Sequence, residues 1–172
     1  MAALKNITKV PFEIASLLAT DPVIRSLLYI DQPNALTQHV SFNDGVSAAQ
    51  HMINENYIHL FPFVETGIKD FTRNTFLQIS LEGISFSKEH TAVSANGTIL
   101  ITTDNTHIML DNNKNRLLEL ADLIDQRLHG VKLSSSIGLK INYISAVPVS
   151  NFRSGYSIHF SITDQLNAKA EL

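Results

Sequence analysis

Residues 155–164, GYSIHFSITD, alternate without interruption. Tyr156, Ile158, Phe160 and Ile162 fall on one side, and Ser157, His159, Ser161 and Thr163 on the other. A strand sends successive side chains to opposite faces, so the pattern requires a sheet with one buried and one wet face. Parallel sheets are covered on both faces and read as unbroken apolar runs; this sheet is therefore expected to be mainly antiparallel. The buried face needs a cover, and NNKNRLLELADLIDQRLHG at 112–130 supplies one. Leu117, Leu120, Ala121, Ile124 and Leu128 form an apolar stripe at helical spacing, while Lys114, Glu119, Asp122, Asp125 and Gln126 cover the remainder. Asp111 or Asn112 is placed to cap a helix over 113–129, and Gly130 suits a left-handed position just past its end.

Further strand signals surround that helix. YIHLFPFVE at 57–65 is β-rich, and Pro62 restricts it to an edge or a strand end. In 75–86 the apolar phase slips at Gly83, the trace a β-bulge leaves in sequence. Asn96-Gly97 reads as a turn between that strand and a short one at 98–104. A strand at 138–149 ends near Pro148. Ahead of them, 10–30 reads as two helices: Phe12, Ala15, Leu18 and Ala19 form the first stripe, and Thr20 or Asp21 caps a second carrying Ile24, Leu27 and Leu28. The polar stretch after Tyr29 has weak periodicity, with a short helix at 45–53 as its one structured element, and a connection of that length is expected to be an arm, a lid or a partner-binding segment. The expected architecture is an α+β domain: a mainly antiparallel sheet, amphipathic helices packed on one face, and a long arm or loop. A chain of 172 residues fits one such domain. It divides into helices at 1–30, an extended arm or loop at 31–56, the sheet and its helix at 57–165, and a tail at 166–172.

The chemistry is narrowed mostly by what is missing. With 44% hydrophobic and 17% charged residues the chain can bury a core, and its net charge of −3 gives no broad basic surface for nucleic acid or lipid headgroups. There is no cysteine, so disulfides, thiolate metal sites and cysteine nucleophiles are excluded. No stretch has the length and apolarity to span a bilayer, and the first residues lack a signal-peptide pattern, so no membrane partner is expected. Phosphate-binding glycine loops, H-E-x-x-H and G-x-S-x-G are absent. Asp104, His107 and Asp111 resemble a metal-binding loop, but turn and cap roles account for each of them. His159 sits on the wet side of its strand, Ser134–Ser136 have no adjacent base, and Glu119, Asp122 and Asp125 read as a solvated face with Arg116 pairing to Glu119. The expectation is no catalytic residue, no metal ligand and no cofactor.

One longer pattern stands out: a strand ending in Thr103-Asp104, a short loop, Arg116 opening the amphipathic helix, Gly130 closing it, then two strands, the last running Gly155-Tyr156-x-x-x-Phe160-x-x-x-Asp164. Over roughly 98–165 this resembles the neck and tail-completion (tail terminator) proteins of tailed bacteriophages, and DPVIRSLLYIDQPNAL near the front is similar to the start of some phage neck proteins. The long 29–57 segment departs from compact terminators. The resemblance implies a non-enzymatic virion protein, assembled in the host cytoplasm. It would form a ring with itself, as a hexamer in tail terminators, touching the tail tube and the head connector while DNA passes only through its pore. A head-side connector or stopper, a small enzyme around Asp104, His107 and His159, and a small-molecule-binding module are the alternatives.

Overall fold

A computed structural model of the chain describes residues 7–42, 47–60, 73–87, 92–133 and 137–165. Helix α1 spans Val10–Thr20, with Pro11 in its first turn, and α2 spans Pro22–Tyr29. Asp21 is the cap between them: its carboxylate accepts from the backbone N–H of Val23 at 2.8 Å and Ile24 at 3.2 Å. Val10, Ile14, Ala15, Leu18 and Ala19 are buried, whereas Phe12, expected on that stripe, is exposed. Phe12 falls outside the 3.6-residue row that Val10, Ile14 and Leu18 set.

The 31–56 stretch is not an extended arm over its described part. A 3-10 turn at Ala35–Thr37 and helix α3, Ala48–Asn54, lie on the body, with Ala35, Ala49 and Met52 buried. Ser47 caps α3, where the sequence placed a helix at 45–53. A few apolar side chains in a polar stretch are enough to hold it down, because each buried one contributes about 1 kcal/mol or more.

The sheet has five strands in the order β1-β2-β3-β5-β4: β1 Ile58–His59, β2 Thr75–Phe86, β3 Ala92–Asp104, β4 Gly138–Pro148 and β5 Arg153–Gln165. Only β1 runs parallel to its neighbour; the other pairs are antiparallel. The strand expected over 57–65 is thus two residues long in its described part, and Pro62 lies outside the described residues. Gly83 marks a register shift in β2 between Leu81 and Gly83, as the phase slip predicts.

Asn96 and Gly97 are not a turn. They lie inside β3, which begins at Ala92, and the β2–β3 connection falls earlier, bracketed by a bond from Ser87 N to Ala92 O at 3.0 Å. The glycine serves a close approach instead. A Cβ at Gly97 would sit 2.3 Å from Phe160 Cζ and 2.6 Å from the Ser80 carbonyl oxygen. The missing side chain makes room for the Phe160 ring, which is fully buried.

Helix α4 spans Arg116–Leu128, shorter than the expected 113–129, and its cap is Asn115 rather than Asp111 or Asn112. Asn115 Oδ1 accepts from Leu117 N at 2.9 Å and Leu118 N at 3.3 Å. The earlier asparagines are used in the approach: Asn112 Oδ1 accepts from Lys114 N at 3.1 Å and Asn113 takes φ 60°. Gly130 has φ +70°, the left-handed position that ends the helix.

One apolar cluster joins all of this. Leu77, Ile79, Ile99, Ile101, Ile158, Phe160 and Ile162 share the inner face of the sheet by register. They pack with Leu117, Leu120, Ala121, Ile124 and Leu128 of α4 and with the N-terminal helices. Gln78, Ser80, Thr98, Ser157 and His159 occupy the opposite face.

Candidate functional site

The largest fully buried side chain is a charged one, Arg116. It opens α4 and lies four residues before Leu120 and eight before Ile124, so helical spacing carries it into the core with them. All five guanidinium N–H groups are used. Nε donates to His107 O at 2.9 Å; Nη1 donates to Leu27 O and Ile30 O, each at 2.7 Å; Nη2 donates to Asp31 O at 3.2 Å and Gln32 O at 2.9 Å. Leu27 and Ile30 are at the C-terminal end of α2, where the helix dipole favours a cation. Burial lowers the Arg116 pKa, and the Asp31 charge opposes that shift. Arginine stays protonated at any working pH, so the site holds a permanent charge neutralised by carbonyl dipoles. The Arg116–Glu119 pair expected from sequence does not form; Lys114 Nζ takes Glu119 instead, at 2.7 Å.

Asp104 ends β3 and caps the 3-10 turn Asn105–His107, accepting from Thr106 N at 2.9 Å and Thr106 Oγ1 at 2.8 Å. Those hydrogen bonds hold its pKa below the ordinary carboxylate value. His107 Nδ1 is 2.9 Å from Thr106 Oγ1. The exposed Asp111 donates its backbone N–H to Pro33 O at 3.0 Å. Among the described residues no three His, Asp or Glu side chains are grouped to hold a metal ion.

His159 is part of a polar chain on the outer face of the sheet. Its Nε2 is 2.8 Å from Ser157 Oγ, its Nδ1 is 3.3 Å from Thr98 Oγ1, and Thr98 in turn donates to Glu82. The Tyr143 ring stacks on the imidazole at 4.2 Å. His159 pairs with Thr98, six residues along β3 from Asp104. At about 3.4 Å per residue that is roughly 20 Å, so Asp104, His107 and His159 do not share a site. Asp122 accepts from Gln126 at 2.8 Å, and Asp125 lies 3.7 Å from His129. Ser134–Ser136 lie outside the described residues.

The remaining pattern residues are steric. A Cβ at Gly155 would lie 2.8 Å from Ile101 O. Tyr156 is half-buried against the core, and Asp164 pairs with Val93 by backbone register, its side chain lying outside the described residues. Two further anchors carried no motif. Arg127 Nε meets Asp21 Oδ2 at 2.6 Å, tying α4 to the α1–α2 junction. Arg153, buried at the start of β5, donates to Asn74 O at 3.1 Å and Arg73 O at 2.8 Å. Arg127 lies off the apolar stripe of α4 and Arg153 precedes the alternating run of β5, so no sequence signal marked either.

The surface also carries large apolar side chains. Ile84 and Phe86 on β2, Tyr143 and Ile144 on β4, and Phe152 in the β4–β5 turn are exposed. Among the described residues no helix is long and apolar enough to cross a membrane.

No curated protein matches the sequence. A chain in the solved virion of a native gene transfer agent particle is similar over 67% of this chain and 82% of that one, with 14% identity and a TM-score of 0.43. The profile of the YomW family matches residues 21–162, from the Asp21 cap through all of α4 to the last core position of β5, and the chain belongs to that phage-derived family.

Proposed function

We propose that this protein is a structural component of the phage virion, a ring-forming subunit of the neck that completes the tail and docks it to the head connector. The observation that carries the reading is the extent of the family match. It covers 21–162 and so includes the whole resemblance to tail-completion proteins except its last residues. The geometry is consistent with a building block. Asp104, Arg116 and His159 are each engaged in hydrogen bonds internal to the fold. Exposed apolar side chains lie on strands β2 and β4, such as Ile84 and Ile144, and also on the helices, such as Phe12 and Leu118. On this reading the protein performs no catalysis, binds no cofactor, and acts through contacts with its own copies and with tail-tube and connector proteins. A head-to-tail contact with the right rotation closes into a ring.

The test is co-expression with the tail-tube and portal-proximal proteins of the same phage, followed by affinity capture and electron microscopy. The expected result is rings of this chain seated at one end of the tube, and tubes of uncontrolled length when the gene is deleted. Tubes of normal length that join heads in its absence would overturn the reading.

A further inference from the structure

The Phe12 ring, left out of the core by the buried row of α1, is one wall of a groove. The groove holds about 680 Å³ and runs between the outward side of α1 and residues 132–133, which lead from α4 toward β4. Its walls include Phe12, Leu17 and Leu133, with Ser16 beside them, and Lys9 and Lys132 also line it. Helical spacing sets the outward direction: Phe12 and Ser16 each stand two residues, about 200°, from the buried Ile14. Phe12 is 41% exposed. Among the described residues neither Lys9 nor Lys132 has an ion-pair partner. Glu13, the carboxylate in the lining, has an interaction of its own within the chain. The chemical complement of such a groove is an apolar knob flanked by carboxylates.

The chain presents that complement on α4. Leu118, Asp122 and Asp125 stand at i, i+4 and i+7 and so share one flank of the helix. Leu118 is 50% exposed, and Asp122 is exposed. Asp122 accepts from the Gln126 amide and Asp125 lies 3.7 Å from His129, so among the described residues neither meets a lysine or an arginine. A helix that lays one flank into a groove does so through anchors at this spacing.

The two surfaces cannot meet within one copy. Arg127 turns toward the α1–α2 junction, where it bonds Asp21. Asp125, two residues earlier, is about 200° round the helix from it, so the flank points away from α1 and its groove. A contact between flank and groove therefore joins one copy to another and uses a different surface on each. That is the heterologous geometry from which rings are built.

We infer that Leu118 of one copy enters the α1 groove of the next, with Asp122 and Asp125 against Lys9 and Lys132. The inference rests on the ring reading above and names its contact.

Sedimentation velocity over a range of concentrations, with electron microscopy of the same samples, tests it. Three variants are compared: Leu118→Lys; Lys9→Glu with Lys132→Glu in one chain; and Asp122→Lys with Asp125→Lys in another. Each weakens self-association by about tenfold or more, while the melting temperature stays within a few degrees of the unaltered chain. The two charge-reversed chains, each defective alone, associate when mixed, because every flank then faces a groove of opposite sign. Damage to the fold cannot produce that recovery. Charge-reversed chains that associate normally alone, or that fail to associate when mixed, overturn the inference. Rings that survive all three variants overturn it and leave the ring reading standing. Mixed complexes that stop at dimers or grow as open filaments uphold it and overturn the ring reading. An unaltered chain that stays monomeric at high concentration and beside tail tubes overturns both. Loss of tail-tube binding in the Lys9→Glu, Lys132→Glu chain, with self-association intact, gives the groove to the tube protein and overturns the inference.

Discussion

Arg116 does the work of several residues, and its loss is not a simple matter of charge. Arg116→Met leaves carbonyls of His107, Leu27, Ile30, Asp31 and Gln32 short of a donor inside the protein. Unsatisfied buried polar groups cost about 1–3 kcal/mol each, partly relieved by relaxation and entering water. Urea unfolding should therefore show a loss of about 3 kcal/mol or more. Arg116→Lys keeps the charge but has neither the reach nor the planar fork, so it should fall between. Two groups seated in the fold, Asp21 and His59, dominate the acid limit. Burial works to raise the Asp21 pKa, but the Arg127 hydrogen bond and the backbone N–H groups of Ile24 and Val23 outweigh it, and the net shift is downward. His59 is also shifted down, by burial, with a bond at Asn56 opposing. For both groups the unfolded chain binds the proton more readily than the folded one, so stability rises with pH. The His59 contribution is complete above 6.5 and is lost as pH falls from there through its folded value. The Asp21 contribution is complete above 3.8 and is lost below it. Thermal melts across pH 3 to 8 should show two successive declines; His59→Leu removes the first, and Asp21→Asn reduces the second, to which the exposed Asp104, held down by Thr106, adds a smaller part.

Among the elements, β3 was misjudged at its start, and the reason is physical. Asn-Gly is a strong turn signal because glycine tolerates positive φ, but glycine is also the residue that lets a ring lie against a backbone. One sequence cannot separate those uses; the Phe160 ring over Gly97 does. Gly97→Ala should destabilise by about 1–3 kcal/mol, measured by denaturant titration. Adding Phe160→Leu should recover only part, since the clash with the Ser80 carbonyl remains. Helix α4 was legible from its stripe and from Gly130. Its start was not, because DNNKN offers several side chains able to cap, and only the fold selects Asn115. Asn115→Ala should cost about 1 kcal/mol of stability. β5 was read best: alternation needs no tertiary knowledge when one face is buried and the other is not.

For the molecule as a whole, the α+β class and the helix-covered face followed from periodicity, while the seating of the 31–56 stretch did not. Ala35, Ala49 and Met52 are too widely spaced to show a pattern; the turn carrying Ala35 packs on α2, and α3 packs on α1 and β1. The N-terminal helices and the sheet share one core, as a single domain with helices on one face requires, and Ile14, Leu18, Leu27 and Leu28 complete it alongside Leu77 and Ile124. Unfolding followed by far-ultraviolet dichroism and by tyrosine fluorescence should therefore give coincident transitions; separate midpoints would show two independent units.

The Arg116 clamp has a mechanical corollary. It joins the end of α2 to the start of α4 through bonds fanning from a single planar group. A pull on the front of the chain is carried straight into the helix that braces the sheet, and those bonds resist together instead of peeling one after another. On the neck reading proposed above, the clamp would act as a strut between the front of the chain and the sheet, stiff along the line of force.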